Sequence, residues 1–517
     1  MIVGRLRYSL IAFVICIAFS ATAWAQPAPL TGFDAYAENA MKEWEVPGMA
    51  VAVVKDDKIV FARGYGVKKL GEPAPVDERT IFAIGSSSKA FTAAAIAILV
   101  DEGKLKWDDP VSLYLPEFEL YDPYASRELR IRDLLSHRSG LERGDMLWYG
   151  TTLSREEILS RVRHLKPTWS LRSQFGYQNL MYLAAGEVVH KVSGMSWDDF
   201  LKKRIFDPIG MSASSTSIKS FKPGDNVSTP HGKMGEKVEP IKWRDIDNIG
   251  PAGSINSNVI DVAQWVRLQL GKGTIDGKKI LSPASANEMH MPQTIIRLEG
   301  AYPILYPKAH FFNYGLGWFL SDFKGRKLVE HGGAIDGMRA EVAMVPEEKL
   351  GIIILTNMNG SVISMPLVYR IIDAYLGEPQ TDYSADLLKA YRPLLDQAQA
   401  AEKRAESERV TGTKPSHPLE NYVGTYQNEL YGDVTIGMEN GQLKIIYGPF
   451  TSLLDHWHYD TFRATFVTSG ISKSPATFGL NAQGKVDTLS LGLAGMSGYP
   501  FKKVPPKPGT TAQAPSN

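Results

Sequence analysis

The stretch Phe82–Leu105, FAIGSSSKAFTAAAIAILVDEGKL, decides how the rest of the chain is read. Ser86, Ser87 and Ser88 stand directly before Lys89 and an apolar segment. Phe91, Ala94, Ala95 and Ile98 recur at helical spacing and Gly103 closes the run, so the segment reads as a helix with the serines at its start. Hydroxyl residues there are what N-capping selects. The same letters also spell a mechanism. Positions i and i+3 share a helix face, and only Ser86 stands three residues before Lys89. A serine hydroxyl becomes nucleophilic when a neighbouring base takes its proton, and a lysine is that base when burial or nearby cations hold it neutral. The N–H groups of a helix start favour developing negative charge.

Spacing alone does not choose between cap and nucleophile. Ser321-Asp322-Phe323-Lys324 repeats it in what reads as a β-turn. Tyr177-Gln178-Asn179, in SQFGYQNLMYLAAG, precedes a second helix that ends near Gly194. A phenol there can share the base role, and an amide can hold substrate or Lys89. That tripeptide also recurs, as Tyr426-Gln427-Asn428. In LVEHGGAIDG, His331 ends a strand and Gly332-Gly333 let another backbone come close. An N–H from that edge can complete an oxyanion hole with the N–H of Ser86.

The flanking sequence sets the frame. Residues 1–25 carry Arg5 and Arg7, an apolar run from Leu10 to Phe19 and Ala23-Trp24-Ala25, the plan of a signal peptide cleaved after Ala25. The apolar run falls short of the 20 or so residues that span a bilayer. Cys16, the one cysteine, goes with it, so the mature chain forms no disulfide. Ile15 before Cys16 is too bulky for a lipoprotein site. Losing two of the 57 Lys and Arg against 56 Asp and Glu leaves a net charge of −1, which points to neither nucleic acid nor an anionic membrane.

Residues 26–379 mix strands and helices. MAVAVVKDDKIVFARGYGV reads as a hairpin around Lys55–Lys58, and late strands such as GIIILTNMNG imply a sheet assembled from distant parts of the chain. Residues 380–418 form a helical linker that closes in a Gly/Pro/Ser segment. Residues 419–504 are β throughout, with Asn440-Gly441 as a strong hairpin signal, and read as a small antiparallel barrel or sandwich. Residues 505–517 read as a disordered tail.

IGSSSKAFTA, GYQN and HGG stand in the order found in penicillin-binding-protein-like serine hydrolases, the superfamily of class C β-lactamases, D-aminopeptidases, D,D-peptidases and several esterases. LKWDDPVSLYLPEF, IRDLLSHRSGL, PAGSINSNVIDVAQW and NYGLGWFL also resemble this family, from about Phe33 to Gly360. PLENYVGTYQN resembles the start of the lipocalin-like barrel that follows the catalytic domain in some members. The resemblance implies an α+β fold, an antiparallel sheet flanked by helices with a helical subdomain, then a small antiparallel β-barrel. It implies Ser86 as the acylated nucleophile, Lys89 as proton acceptor and Tyr177 as proton shuttle. Asn179 then contacts the substrate amide, Gly332 and Gly333 shape the strand edge, and Ala334 lends the second oxyanion N–H. No metal or organic cofactor is implied.

His331 stands where β-lactamases carry a lysine that holds the β-lactam carboxylate. A histidine near its ordinary pKa of about 6.5 is mostly neutral at pH 7 and supplies less of that. The sequence therefore favours an exported, periplasmic or secreted hydrolase of peptide amides or esters. A β-lactamase and a penicillin sensor that scarcely turns over are the alternatives. Its partner is a small-molecule or peptide substrate, with no membrane segment after signal removal and with self-association through the barrel left open. His137 reads as a structural residue near the pocket, His456 and His458 as strand residues without further metal ligands, and Asp108-Asp109 as a turn.

Overall fold

The computed structural model describes residues 29–505 apart from residues 236, 469–470 and 494. The signal peptide and nearly all of the C-terminal tail lie outside the described residues. Strands β1 (Gly48–Lys55) and β2 (Lys58–Gly66) form the expected hairpin, with Asp56 and Asp57 at positive φ as a two-residue turn requires. The remaining sheet strands come from far along the chain: β3 (Thr294–Ile295), β4 (Phe312–Tyr314), β5 (Phe319–Phe323), β6 (Arg326–Ile335), β7 (Met338–Val345) and β8 (Leu350–Thr356). The order is β2-β1-β8-β7-β6-β5-β4-β3, and every pairing is antiparallel. Val51, Val53, Ile352 and Ile354 face one side of the sheet, and Ala50, Ala52, Ile353 and Leu355 face the other. Period-two alternation of apolar residues on both faces is what a sheet covered twice needs.

One face packs against α1 (Phe33–Glu43), α5 (Ser364–Leu376) and α6 (Tyr383–Ser407). The other receives α2 (Ser88–Asp101), α3 (Asn179–Ser193) and α4 (Val259–Leu270). Helix α2 is buried from Ser88 to Leu99 with no polar face, so the stripe read from its sequence understates its burial. His331 lies inside β6 rather than at its end, because pairing with β7 continues to Ile335 opposite Met338. Ser321 lies in β5 instead of a turn. Lys324 follows in the β5–β6 turn at positive φ and binds Asp373 at 2.7 Å instead of facing Ser321.

After α6, eight strands close into an antiparallel barrel: β9 (Gly424–Asn428), β10 (Gly432–Glu439), β11 (Gln442–Tyr447), β12 (Phe450–His458), β13 (Thr461–Thr468), β14 (Ile471–Leu480), β15 (Val486–Leu491) and β16 (Phe501–Lys503). Asn440 and Gly441, both at positive φ, make the β10–β11 turn as their sequence predicts. Tyr422, Tyr426, Phe462 and Phe478 meet edge to face inside, so Tyr426 of the repeated Tyr-Gln-Asn tripeptide is barrel core while Gln427 is exposed. Glu406 of α6 grips the outer wall through Lys473 and Arg463 at 2.9 and 3.1 Å. Among the described residues, no helix is long and apolar enough to cross a membrane, and no group of three His, Cys, Asp or Glu stands in a metal-holding arrangement.

Candidate active site

Ser86 sits in a 3₁₀ turn, Gly85–Ser87, between a two-residue strand, Phe82–Ala83, and α2. Ser87 and Ser88 start the helix, as the sequence implies, but Ser87 at the cap position makes no side-chain capping hydrogen bond. Continuing the 3₁₀ turn into α2 leaves their hydroxyls free to tie the helix start to its neighbours. Ser87 Oγ donates to the His331 carbonyl at 2.8 Å, and Ser88 Oγ accepts from Ile255 N at 3.2 Å. These ties fix the Ser86 turn between β6 and the chain at Ile255.

Lys89 has no solvent exposure. Its Nζ lies 3.0 Å from Ser86 Oγ and donates to the Ala252 carbonyl at 2.7 Å. It also stands 4.9 Å from the Tyr177 ring centroid and 5.3 Å from that of Tyr182. Burial pushes the amine well below the usual lysine range; Arg143 adds to this, and Asp145 opposes it. Burial pushes the Tyr177 phenol pKa up, while the neighbouring Ser86 hydroxyl and Arg143 pull it down. The arrangement puts a hydroxyl, an amine held toward its neutral form and a phenol in mutual reach.

Gly333 and Gly85 explain how two N–H groups come to face the same cleft. A Cβ on Gly333 would lie 1.8 Å from Ile84 O and 3.0 Å from Ser86 N. One on Gly85, at φ +50°, would lie 2.6 Å from Ala334 N. Only glycine lets the two backbones meet there, and Ser86 and Ala334 both line the resulting cleft of about 340 Å³. Two N–H groups so placed can accept an oxyanion.

Asn179, the first residue of α3, also lines the cleft, and its Nδ2 donates to Asp145 Oδ1 at 2.9 Å. Gln178 caps α3: its Oε1 accepts from Leu180 N at 3.0 Å. His137 accepts from Gln178 N at 3.0 Å, and its ring lies 4.1 Å from that of Tyr177. His137 thus carries the tyrosine loop, as the sequence implied.

His331 is buried beside this group but does not touch Ser86. Its Nε2 meets the Tyr314 hydroxyl at 2.9 Å and its Nδ1 the Gly332 carbonyl at 2.6 Å. Burial, with Lys89 second, pushes its pKa down to about 3 against the hydrogen bond to Gly332. The ring is neutral at any working pH. Nδ1–H donates to Gly332, and Nε2 accepts from Tyr314. His331 shapes β6 without charging the cleft.

Sequence reading missed Arg143, Asp145, Tyr149, Arg244 and Asp336 as individuals. One segment, ERGDMLWYGTTLS, supplies Arg143, Asp145, Met146, Trp148 and Tyr149 to the cleft lining. The segment RLEGAYPILYPKAHFF lends no residue to that lining, and its Tyr306 donates to Glu330 Oε1 at 2.7 Å. Arg244 and Asp336 carried no local signal, because they meet only in space, at 2.7 Å.

This fold, with an antiparallel sheet, a buried serine-bearing helix and a paired strand edge, is that of the β-lactamase and penicillin-binding-protein class. A family model described as Beta-lactamase matches residues 33–374, well over half of the chain, and the protein belongs to that family. A domain of unknown function, DUF3471, matches residues 408–498. Unguisins hydrolase ungD of Aspergillus violaceofuscus is 28% identical over 90% of this chain and 88% of its own. Penicillin-binding protein 4 of Amycolatopsis lactamdurans is 30% identical over 61% of this chain and 82% of its own. The solved octameric penicillin-binding protein homologue from Pyrococcus abyssi shares the fold at a TM-score of 0.62, 22% identity, covering 92% of this chain and all of its own.

Proposed function

We propose that the protein is an exported serine hydrolase that cleaves peptide amides or esters through an acyl-enzyme on Ser86. The observation that carries this is a lysine with no solvent exposure whose Nζ stands 3.0 Å from a serine Oγ at the edge of a cleft. Hydrolase names among the relatives support the reaction class. Lys89 takes the Ser86 proton as Oγ attacks the carbonyl carbon. The oxyanion rests on the N–H groups of Ser86 and Ala334. The proton passes through Tyr177 to the leaving amine or alcohol as that bond breaks. Water, giving its proton back through Tyr177, then releases the acid and restores Ser86. Asn179, held by Asp145, presents its amide to the acyl side. The neutral His331 favours amide or ester substrates over β-lactams, whose carboxylate gains no cation there.

A fluorescent fluorophosphonate and a fluorescent penicillin, applied to the wild type and to Ser86→Ala, test this. Fluorophosphonate labelling that Ser86→Ala abolishes, with amine or alcohol release from simple substrates, supports it. Labelling that survives Ser86→Ala overturns it. Rapid opening of the penicillin ring would instead make the protein a β-lactamase, and a stable penicillin label would make it a sensor.

A further inference from the structure

Among the described residues the barrel lends no side chain to the cleft, yet it stands directly behind the cleft wall. Met146, Trp148, Tyr149, Ile246 and Ile249 form the apolar side of the cleft. The β11–β12 turn, Tyr447-Gly448-Pro449-Phe450, fits against two of these residues, Met146 and Tyr149. Tyr447 Oη donates to the Met146 carbonyl at 3.1 Å. The Phe450 ring stacks on Tyr149 with centroids 5.8 Å apart and planes 14° from parallel. Gly150, at φ +69°, leaves room for that ring, since a Cβ there would lie 2.6 Å from Phe450 Cζ and 3.1 Å from Pro449 Cγ.

The contact does not stop at Tyr149. Its hydroxyl donates to Asp336 at 2.7 Å, and Arg244 binds the same carboxylate at 2.7 Å while lying 4.6 Å over the Tyr149 ring and 6.0 Å over Phe450. Asp336 is two residues beyond Ala334 on the β6–β7 turn. Apolar packing runs unbroken from the hydrolase interior into the barrel, with Met146, Trp148, Tyr447 and Phe450 all buried. A wall supported this way holds its shape only while the turn behind it is in place.

We propose that the C-terminal barrel is a specificity module of the hydrolase, with Phe450 as a positioning residue that sets the cleft for substrates bearing a bulky apolar acyl group. This rests on Ser86 as the nucleophile. Phe450 acts through Tyr149, so its loss weakens binding of the acyl chain more than it slows the bond-breaking step. Short acyl groups do not reach the wall and feel the change less.

The test uses the full chain and p-nitrophenyl esters from acetate to octanoate, with fluorophosphonate labelling as the measure of a live Ser86. For Phe450→Ala, the octanoate-to-acetate ratio of kcat/KM should fall about tenfold, mostly through KM for octanoate. Phe450→Leu, which keeps more of the volume, should recover part of the ratio. Phe462→Ala weakens the barrel interior away from Tyr149 and should lower the unfolding temperature with the ratio unchanged. A ratio within twofold of wild type in Phe450→Ala overturns the inference, as does an equal fall in Phe462→Ala. Absence of labelling in the wild type refutes the Ser86 reading instead, so the two failures are distinct.

Discussion

On either side of the large sheet the interior holds Lys89, His137, His331, Glu330 and Glu341, whereas the barrel interior is built on Tyr422, Tyr426, Phe462 and Phe478. Among the described residues, Ser474 is the barrel's one buried residue of ordinarily polar type. Burying ionisable groups costs stability unless each finds partners, so a region that retains them does so for chemistry or positioning. An aromatic interior needs no such reason. The difference fits the proposal that reaction belongs to the first region and that the barrel supports the cleft wall through its β11–β12 turn.

The largest effect that sharpens this contrast is at Ser86. Ser86→Ala should cut ester or amide hydrolysis by about 10³-fold or more while leaving the unfolding temperature unchanged or higher, as steady-state kinetics and calorimetry on one preparation will show. Acid comes next. Burial depresses His137, His290 and His331, the last two to about 3, so the unfolded chain binds more protons than the folded one below about pH 6.5. Their contribution to stability is full above that pH. It is lost as pH falls toward 3, by about 1.4 kcal/mol per pH unit for each histidine. Denaturant titrations between pH 7 and 4 measure it, and a flat profile would erase the contrast in interiors.

In the barrel, Phe478→Ala should cost about 3–5 kcal/mol, seen in the same titrations, with acetate ester hydrolysis persisting. Loss of all activity would mean that the barrel does more than support. The smallest effect is at Arg143, whose positive charge helps hold Lys89 neutral. Arg143→Gln removes that repulsion and raises the lysine pKa. The acid limb of kcat/KM should therefore move to higher pH. A limb that stays in place would take Lys89 out of the base role.

Much of the fold was readable because its signals are local. The β1–β2 hairpin, the α3 helix to Gly194 and the Asn440-Gly441 turn each depend on spacing and φ preferences within a few residues. The serines misled for the opposite reason. Ser87 and Ser88 look like caps, but their hydroxyls are taken by His331 and Ile255, partners more than 160 residues away. His331 reads from the sequence as mostly neutral at pH 7, and burial pushes its pKa down further, to about 3, a shift that no motif records.

The sequence by itself determined the helices, hairpins and barrel, and the order of Ser86, Lys89, Tyr177, Asn179 and His331, because periodicity and motif spacing are written along the chain. Tertiary structure alone decided that Lys89 is cut off from water, that Ser87 and Ser88 tie to His331 and Ile255, and that Phe450 stands behind Tyr149. Those outcomes are distances and burials between segments remote in sequence. They are fixed by how the sheet, α2 and the barrel pack together, and no local pattern encodes them.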